Sequence, residues 1–167
     1  MSGTELVDVV RAAQRGDALA MQELLGRLTP YVGSLCGPIA LQDGPDATQE
    51  ALIAIFRNLD RLSEPAAVFG WARTIAVHAA VRVARTAARH GVTAPLEDVP
   101  APGDPLLASD IRDVLDRLSP EHRAVLVLRD LEGLDEHTVG AVLAVPEGTV
   151  KSRLFRARTS FRKAWVR

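Results

Sequence analysis

Aromatic side chains make up only 4% of this 167-residue sequence, so any core must be built from Leu, Val, Ile and Ala rather than from stacked rings. It has one cysteine, Cys36. A lone thiol can form no internal disulfide, and its apolar neighbours are those of a small buried hydrophobe. No sustained alternation of β-branched and polar residues occurs, while Ala and Leu, both strong helix formers, are abundant. A sheet-based fold is thereby excluded and an all-α fold expected. No apolar run reaches the length of a signal peptide or a membrane span, which predicts a soluble, cytoplasmic chain with no membrane partner. The four histidines and single cysteine show no metal-ligand spacing. There is no glycine-rich phosphate loop, and no serine stands in a nucleophile context. The expectation is a protein that is not an enzyme, with no catalytic residue, metal or cofactor.

A strong overall charge is also missing: the net value is −1. What is present is an uneven distribution. Residues 146–167 carry Lys151, Arg153, Arg156, Arg158, Arg162, Lys163 and Arg167 against Glu147 alone. Residues 73–89 hold Arg73, Arg82, Arg85 and Arg89 with no acid, whereas residues 97–136 are strongly acidic. Two basic segments flank an acidic middle, a pattern that points to a polyanionic partner met at two places.

Helical periodicity runs through about 4–28, 46–62, 66–89, 106–117, 120–132, 135–143 and 146–165. The stretch from His90 to Pro105 breaks it with Pro95, Pro100, Pro102, Gly91, Gly103, Glu97, Asp98 and Asp104, the composition of a flexible linker. Two small helical domains, 1–89 and 106–167, joined by the linker 90–105, are therefore expected.

The second domain reads as a helix-turn-helix. Ser119 is an N-cap before Pro120 and Glu121, and the helix they open is ended by Gly133. Asp135 caps a short helix to Leu143, a tight turn follows at Ala144 and Val145, and Pro146 opens a basic helix. At about 100° per residue, Val150, Leu154, Ala157 and Phe161 share one face of that helix. Gly148, Ser152, Phe155, Arg156, Thr159 and Lys163 lie opposite, with Lys151 and Arg153 on the flanks. Ser152, Phe155 and Arg156 suit base edges and thymine methyls in a major groove; Lys151, Arg153 and Arg158 suit phosphates.

Three runs carry a resemblance: Leu118–Arg123, Leu128–Leu134 and Val145–Arg158. Over about fifty residues they resemble region four of the extracytoplasmic-function (group 4) sigma factors of the sigma-70 family. That resemblance implies a domain that binds the −35 promoter element and docks on the polymerase flap, with Thr149, Lys151, Ser152, Arg153, Phe155, Arg156 and Arg158 at the DNA. The N-terminal half is similar to region two of the same family. Asp46, Gln49 and Glu50, with Leu59–Leu62 downstream, resemble the segment that grips the polymerase clamp. On the wheel, Leu52, Ile55, Phe56 and Leu59 form the buried side of that helix. Phe69–Ala76 resembles the tryptophan-centred start of the −10 recognition helix, where Trp71, Thr74, His78, Arg82, Arg85 and Arg89 share a side and Val68, Ala72, Ile75, Ala79 and Val83 another. Basic side chains interleaved with a ring suit a single strand with unstacked bases, although Trp71 reads equally well as a core anchor. The implied −10 set is Trp71, Thr74, His78, Arg82 and Arg85. Three positions depart from the family pattern: Leu52 stands where Phe is usual, His78 where Asn is usual, and Arg82 where Asp or Asn is common.

The resemblance implies a sigma factor that binds core RNA polymerase and promoter DNA and directs initiation at −35 and −10 elements. An anti-sigma protein is a further candidate partner, and the acidic linker would thread the polymerase's RNA path. The alternatives are a helix-turn-helix regulator that binds operator DNA without polymerase, and a sigma-like protein with protein partners alone.

Overall fold

A computed structural model describes residues 2–90 and 104–166, so the linker composition of 91–103 lies outside the described residues. Among those described there is no strand, and the all-α expectation holds. No described helix is long and apolar enough to cross a membrane.

The first half contains α1 (Gly3–Gln14), α2 (Ala18–Ala40), α3 (Gly44–Asn58) and α4 (Val68–His90). The periodic stretch 4–28 divides into two helices. Gly16 takes φ 93°, which glycine adopts without steric cost, and the Asp17 carboxylate accepts from the Ala20 N–H at 3.1 Å to start α2. Residues 29–40, left unassigned by periodicity, continue α2 through Pro30 and Pro38. Each proline frees the carbonyl four residues earlier, that of Gly26 or Ser34. Both are exposed residues, so water can satisfy the freed groups and the helix survives. At the α2–α3 corner a Cβ on Gly44 would stand 3.1 Å from the Gly37 Cα, so any larger residue would have to push the two backbones a few tenths of an ångström apart.

α4 packs across α2 and α3 and buries Val68, Ala72, Ala76, Val77, Ala79, Ala80 and Ala84. This face is wider than the expected stripe, in which Ile75 and Val83 are only half-buried. The buried side of α3 is Ala47, Ala51, Ile55 and Leu59. Phe56, expected inside, is 56% exposed and Leu52 half-buried. Small alanines let α3 lie close to its neighbours, leaving no room for a ring on that seam.

The second half contains α5 (Pro105–Asp116), α6 (Pro120–Leu126), α7 (Glu136–Leu143) and α8 (Glu147–Trp165). Ser119 caps α6 at the His122 N–H, 3.2 Å away, as expected. Beyond Leu126 the chain widens into a π-helical turn, Val127–Leu131, before Gly133 reverses it at φ 71°. Asp135 caps α7 at the Thr138 N–H, 2.7 Å away. Pro146 is the N-cap of α8, so the helix begins at Glu147, one position later than expected. The buried apolar residues of both halves form one continuous cluster, from Val10 through Ala124 and Val125 to Ala157.

Candidate nucleic-acid interface

The turn before α8 is built by two backbone demands. Ala144 takes the left-handed conformation, φ 56°, ψ 44°, and lets the Val145 N–H reach the Gly140 carbonyl at 3.0 Å. Gly140 lies so close to the incoming helix that a Cβ there would sit 2.9 Å from the Val145 carbonyl oxygen and 3.5 Å from a Val150 methyl. α7 and α8 thus cross at a fixed angle, and α8 buries Val150, Leu154 and Ala157. Phe161, expected on the same face, is half-buried and stacks on Trp165, ring centroids 6.1 Å apart.

The opposite side of α8 is open. Lys151, Ser152, Phe155 and Arg156 are exposed, Phe155 by 73%, while Thr149 and Arg153 are half-buried. An exposed ring on a cationic helix has no packing role, and its surroundings suit an apolar contact in a groove. Two of the expected phosphate-contacting cations already have partners. Lys151 Nζ lies 3.8 Å from Glu136. Arg158 donates to both oxygens of Asp130, at 2.6 and 3.4 Å; this bond raises the guanidinium pKa above its ordinary value. Sequence reasoning missed the Asp130 pair because the two residues meet only through tertiary packing.

On α4, Trp71 is half-buried against the core, and Thr74 is half-buried with its hydroxyl turned back to the Gly70 carbonyl, 3.4 Å away. Arg82 and Arg85 are exposed, and each is ion-paired. Arg82 donates to Glu50 of α3 at 3.2 Å, and Arg85 pairs with Glu121 of α6. Partial burial pulls the Glu121 carboxyl upward, but its backbone hydrogen bond, Arg85 and Arg153 outweigh this and leave it below the usual range. His78 lies at the α4 surface with Nε2 2.6 Å from the Val142 carbonyl of α7. A carbonyl can only accept, so Nε2 carries the proton.

Asp46, Gln49 and Glu50 are exposed along α3. Ile53 and Phe56 are exposed beside them, so the surface is acidic and apolar rather than simply acidic. The spacing of Gln49, Ile53 and Phe56 was the available signal, since all three share one face at helical periodicity.

No local pattern signals the contacts that join the halves. Arg123 is buried, with 6% exposure. Its Nε donates to the Ile39 carbonyl of α2 at 2.8 Å, and its Nη1 to the carbonyls of Leu118 at 2.5 Å and Leu115 at 3.2 Å. Tyr31 of α2 donates to Glu132 at 2.8 Å and stacks edge-on with Phe69. Burial, then Glu132, raises its hydroxyl pKa, while Arg73 opposes the shift. An open apolar groove lies beside this junction, lined by Ile111, Leu115, Leu126, Val127, Leu131 and Phe161 with Asp130 and Arg158 at its rim.

Residues 108–161 match the sigma-70 region 4 family model. The chain is 30% identical over 169 residues to the ECF RNA polymerase sigma-E factor of Haemophilus influenzae, covering 90% of this chain and 89% of that protein. It is 37% identical over 131 residues to the ECF RNA polymerase sigma factor SigE of Mycolicibacterium smegmatis, covering 72% of this chain and 51% of that one. Its fold is similar to that of the sigma factor RpoE of Bartonella quintana, solved in complex with the anti-sigma factor NepR. The TM-score is 0.69 at 21% identity, over 86% of this chain and 94% of that one.

Proposed function

The chain belongs to the ECF RNA polymerase sigma factors and directs the polymerase to promoters, and on that premise we propose how its residues divide the work. The observation that carries the division is α8: an apolar stripe buried on α6 and α7, and Lys151, Ser152, Phe155 and Arg156 left open opposite it. α8 enters the −35 major groove. Arg156 and Ser152 take base edges, Phe155 a thymine methyl, and Thr149, Lys151 and Arg153 the phosphates. Arg158 joins them by exchanging Asp130 for a phosphate.

Residues 1–89 act as the polymerase-binding and −10 unit and residues 106–167 as the −35 unit, with 90–105 as the connection. Asp46, Gln49 and Glu50, extended by Ile53 and Phe56, face the polymerase. Trp71, Thr74, His78, Arg82 and Arg85 face the melted −10 strand, where guanidinium groups follow phosphates and unstacking is offset by contacts to the ring and the polymerase. No bond is made or broken in this cycle. The work is done in the cytoplasm, where the polymerase is.

An anti-sigma protein is a further proposed partner. The Bartonella relative in fold was solved with one, and the apolar groove by Leu131 gives such a protein a place to bind.

Run-off transcription with purified core polymerase tests the reading. Initiation from a −35/−10 promoter that requires both core and this chain supports it. Operator binding without core, and no initiation, overturns it.

A further inference from the structure

We propose that Gln14 is a positioning residue for promoter opening. Its side-chain amide holds the connection between α3 and α4 and so aims the first turn of α4 at the −10 strand. The proposal rests on the reading of α4 as the −10 surface. Residues 59–67, between the two helices, contain only two single 3-10 turns, Leu59–Arg61 and Pro65–Ala67. A connection of this kind has few donors of its own and must find partners for its carbonyls elsewhere. The Leu59 carbonyl accepts the Leu62 N–H at 3.1 Å, but among the described residues no backbone N–H reaches the carbonyl of Leu62. Gln14 serves both. Its Nε2 donates to the Leu59 oxygen at 3.0 Å and to the Leu62 oxygen at 2.8 Å, one amide hydrogen for each.

The donor works from a fixed base. Gln14 is the last residue of α1, which is anchored in the core by Val10 and Ala13. Gly16, at φ 93°, reverses the chain behind it, and the N–H groups of Gly16 and Asp17 bond back to the Ala13 and Ala12 carbonyls at 3.0 and 3.1 Å. The Pro65–Ala67 turn packs against the same helix. The side chain of Gln14 is half-buried. A hydrocarbon could fill its place, but it could not bridge the two carbonyls.

What the amide holds sets the start of α4. Leu62, Pro65 and Val68 are buried, so the chain enters α4 along a line fixed at its first point by Gln14. Trp71 stands in the first turn that follows, and Thr74 in the next. Farther along, α4 is held by its own buried alanines, Ala72, Ala76, Ala80 and Ala84, and α3 is held by Ala47, Ala51 and Ile55. Loss of the amide should therefore disturb Trp71 and Thr74 while leaving the proposed polymerase contacts on α3 and the −35 residues of α8 in place. α1 carries no proposed contact to DNA or polymerase, and this bond gives it a part in −10 recognition.

The test uses the full chain assembled with purified core polymerase, and two variants. Gln14→Met keeps the length and apolar bulk and removes the N–H groups, while Gln14→Glu sets a carboxylate against the two carbonyls. Core affinity, read by anisotropy of the labelled chain, should match the wild type, which also shows that the variants fold. Opening of the −10 region is read by permanganate reactivity of unpaired thymines. It should slow by about three- to tenfold in Gln14→Met, the scale of a lost hydrogen bond, and further in Gln14→Glu. Two templates melted beforehand separate positioning from simple support: one keeps the cognate −10 strand, and the other has those bases replaced. The variants should bind the first more weakly than the wild type does and the second equally well. An equal loss on both templates, or a matching loss of core affinity, makes Gln14 a general staple and overturns the proposal, as does opening at the wild-type rate. If the wild-type holoenzyme itself does not distinguish the two templates, the reading of α4 falls and the proposal falls with it.

Discussion

Arg156 and Arg158 are two positions apart on α8 and face different chemistry. Arg156 is exposed, whereas Arg158 is bonded to Asp130. Arg156→Ala should lower −35-dependent initiation by about 1–3 kcal/mol of promoter binding, roughly five- to 150-fold. Core binding, measured separately by co-sedimentation, should be unchanged; an equal loss there would remove Arg156 from the groove. Asp130→Asn should free Arg158 for a phosphate, tightening binding to a −35 duplex and steepening its salt dependence by about one unit of slope. An unchanged slope in a salt titration would make Arg158 a purely structural residue. The difference between these two arginines was not legible in the sequence. The sequence assigned Arg156 to a base edge and Arg158 to a phosphate, but Asp130 is 28 positions away and reaches Arg158 only through tertiary packing.

Elements were legible where each carried its own punctuation. The caps Ser119 and Asp135, the stop at Gly133 and the α7–α8 turn all stand close to where the sequence predicts them, because a cap depends on three or four neighbouring residues. α2 was not legible past residue 28, since Pro30 and Pro38 ordinarily end a helix and only their orientation toward exposed carbonyls spares it. α3 misled in another way. Wheel arithmetic favours the largest apolar side chains as core, but the tight α2–α3–α4 packing selects Ala47 and Ala51 and turns Phe56 outward. Two predictions follow from element geometry. Phe56→Ala should unfold at nearly the wild-type temperature, because an exposed ring contributes little to the core, yet bind core polymerase more weakly. A loss of stability on the scale of buried-ring removal, about 3–5 kcal/mol, would put Phe56 back in the core. Gly140→Ala should destabilise the chain by about 1–3 kcal/mol through the clash with the Val145 carbonyl. In thermal melts this corresponds to a fall of roughly 2–4 °C per kcal/mol; an unchanged melt would mean that α7 and α8 can move apart freely.

Across the whole molecule, two of the polar links between the halves repeat one device, a cationic or N–H-bearing side chain set on the carbonyl end of a helix. His78 does this for α7 and Arg123 for α2, and Arg123 also takes the Leu115 and Leu118 carbonyls at the end of α5. Nothing in the local sequence marks these bonds. Arg123 stands in a run that resembles the family's, but its role depends on carbonyls 84, 8 and 5 positions away. Burial pulls its guanidinium pKa downward against Asp116 and Glu121, so the site holds the charge at a desolvation cost that the three carbonyls offset. Arg123→Met keeps the apolar bulk of the stem, removes the charge and leaves three carbonyls without their donor. Each lost charged hydrogen bond is worth about 1.5–3 kcal/mol, so the variant should lose several kcal/mol, part of it at the junction with α2 through Ile39 and the rest within the second half through Leu115 and Leu118. In calorimetry the wild-type chain, with one continuous core, should unfold in a single transition, and Arg123→Met should split it into two. A variant that still melts as one unit at the wild-type temperature would show that apolar packing alone holds the halves together.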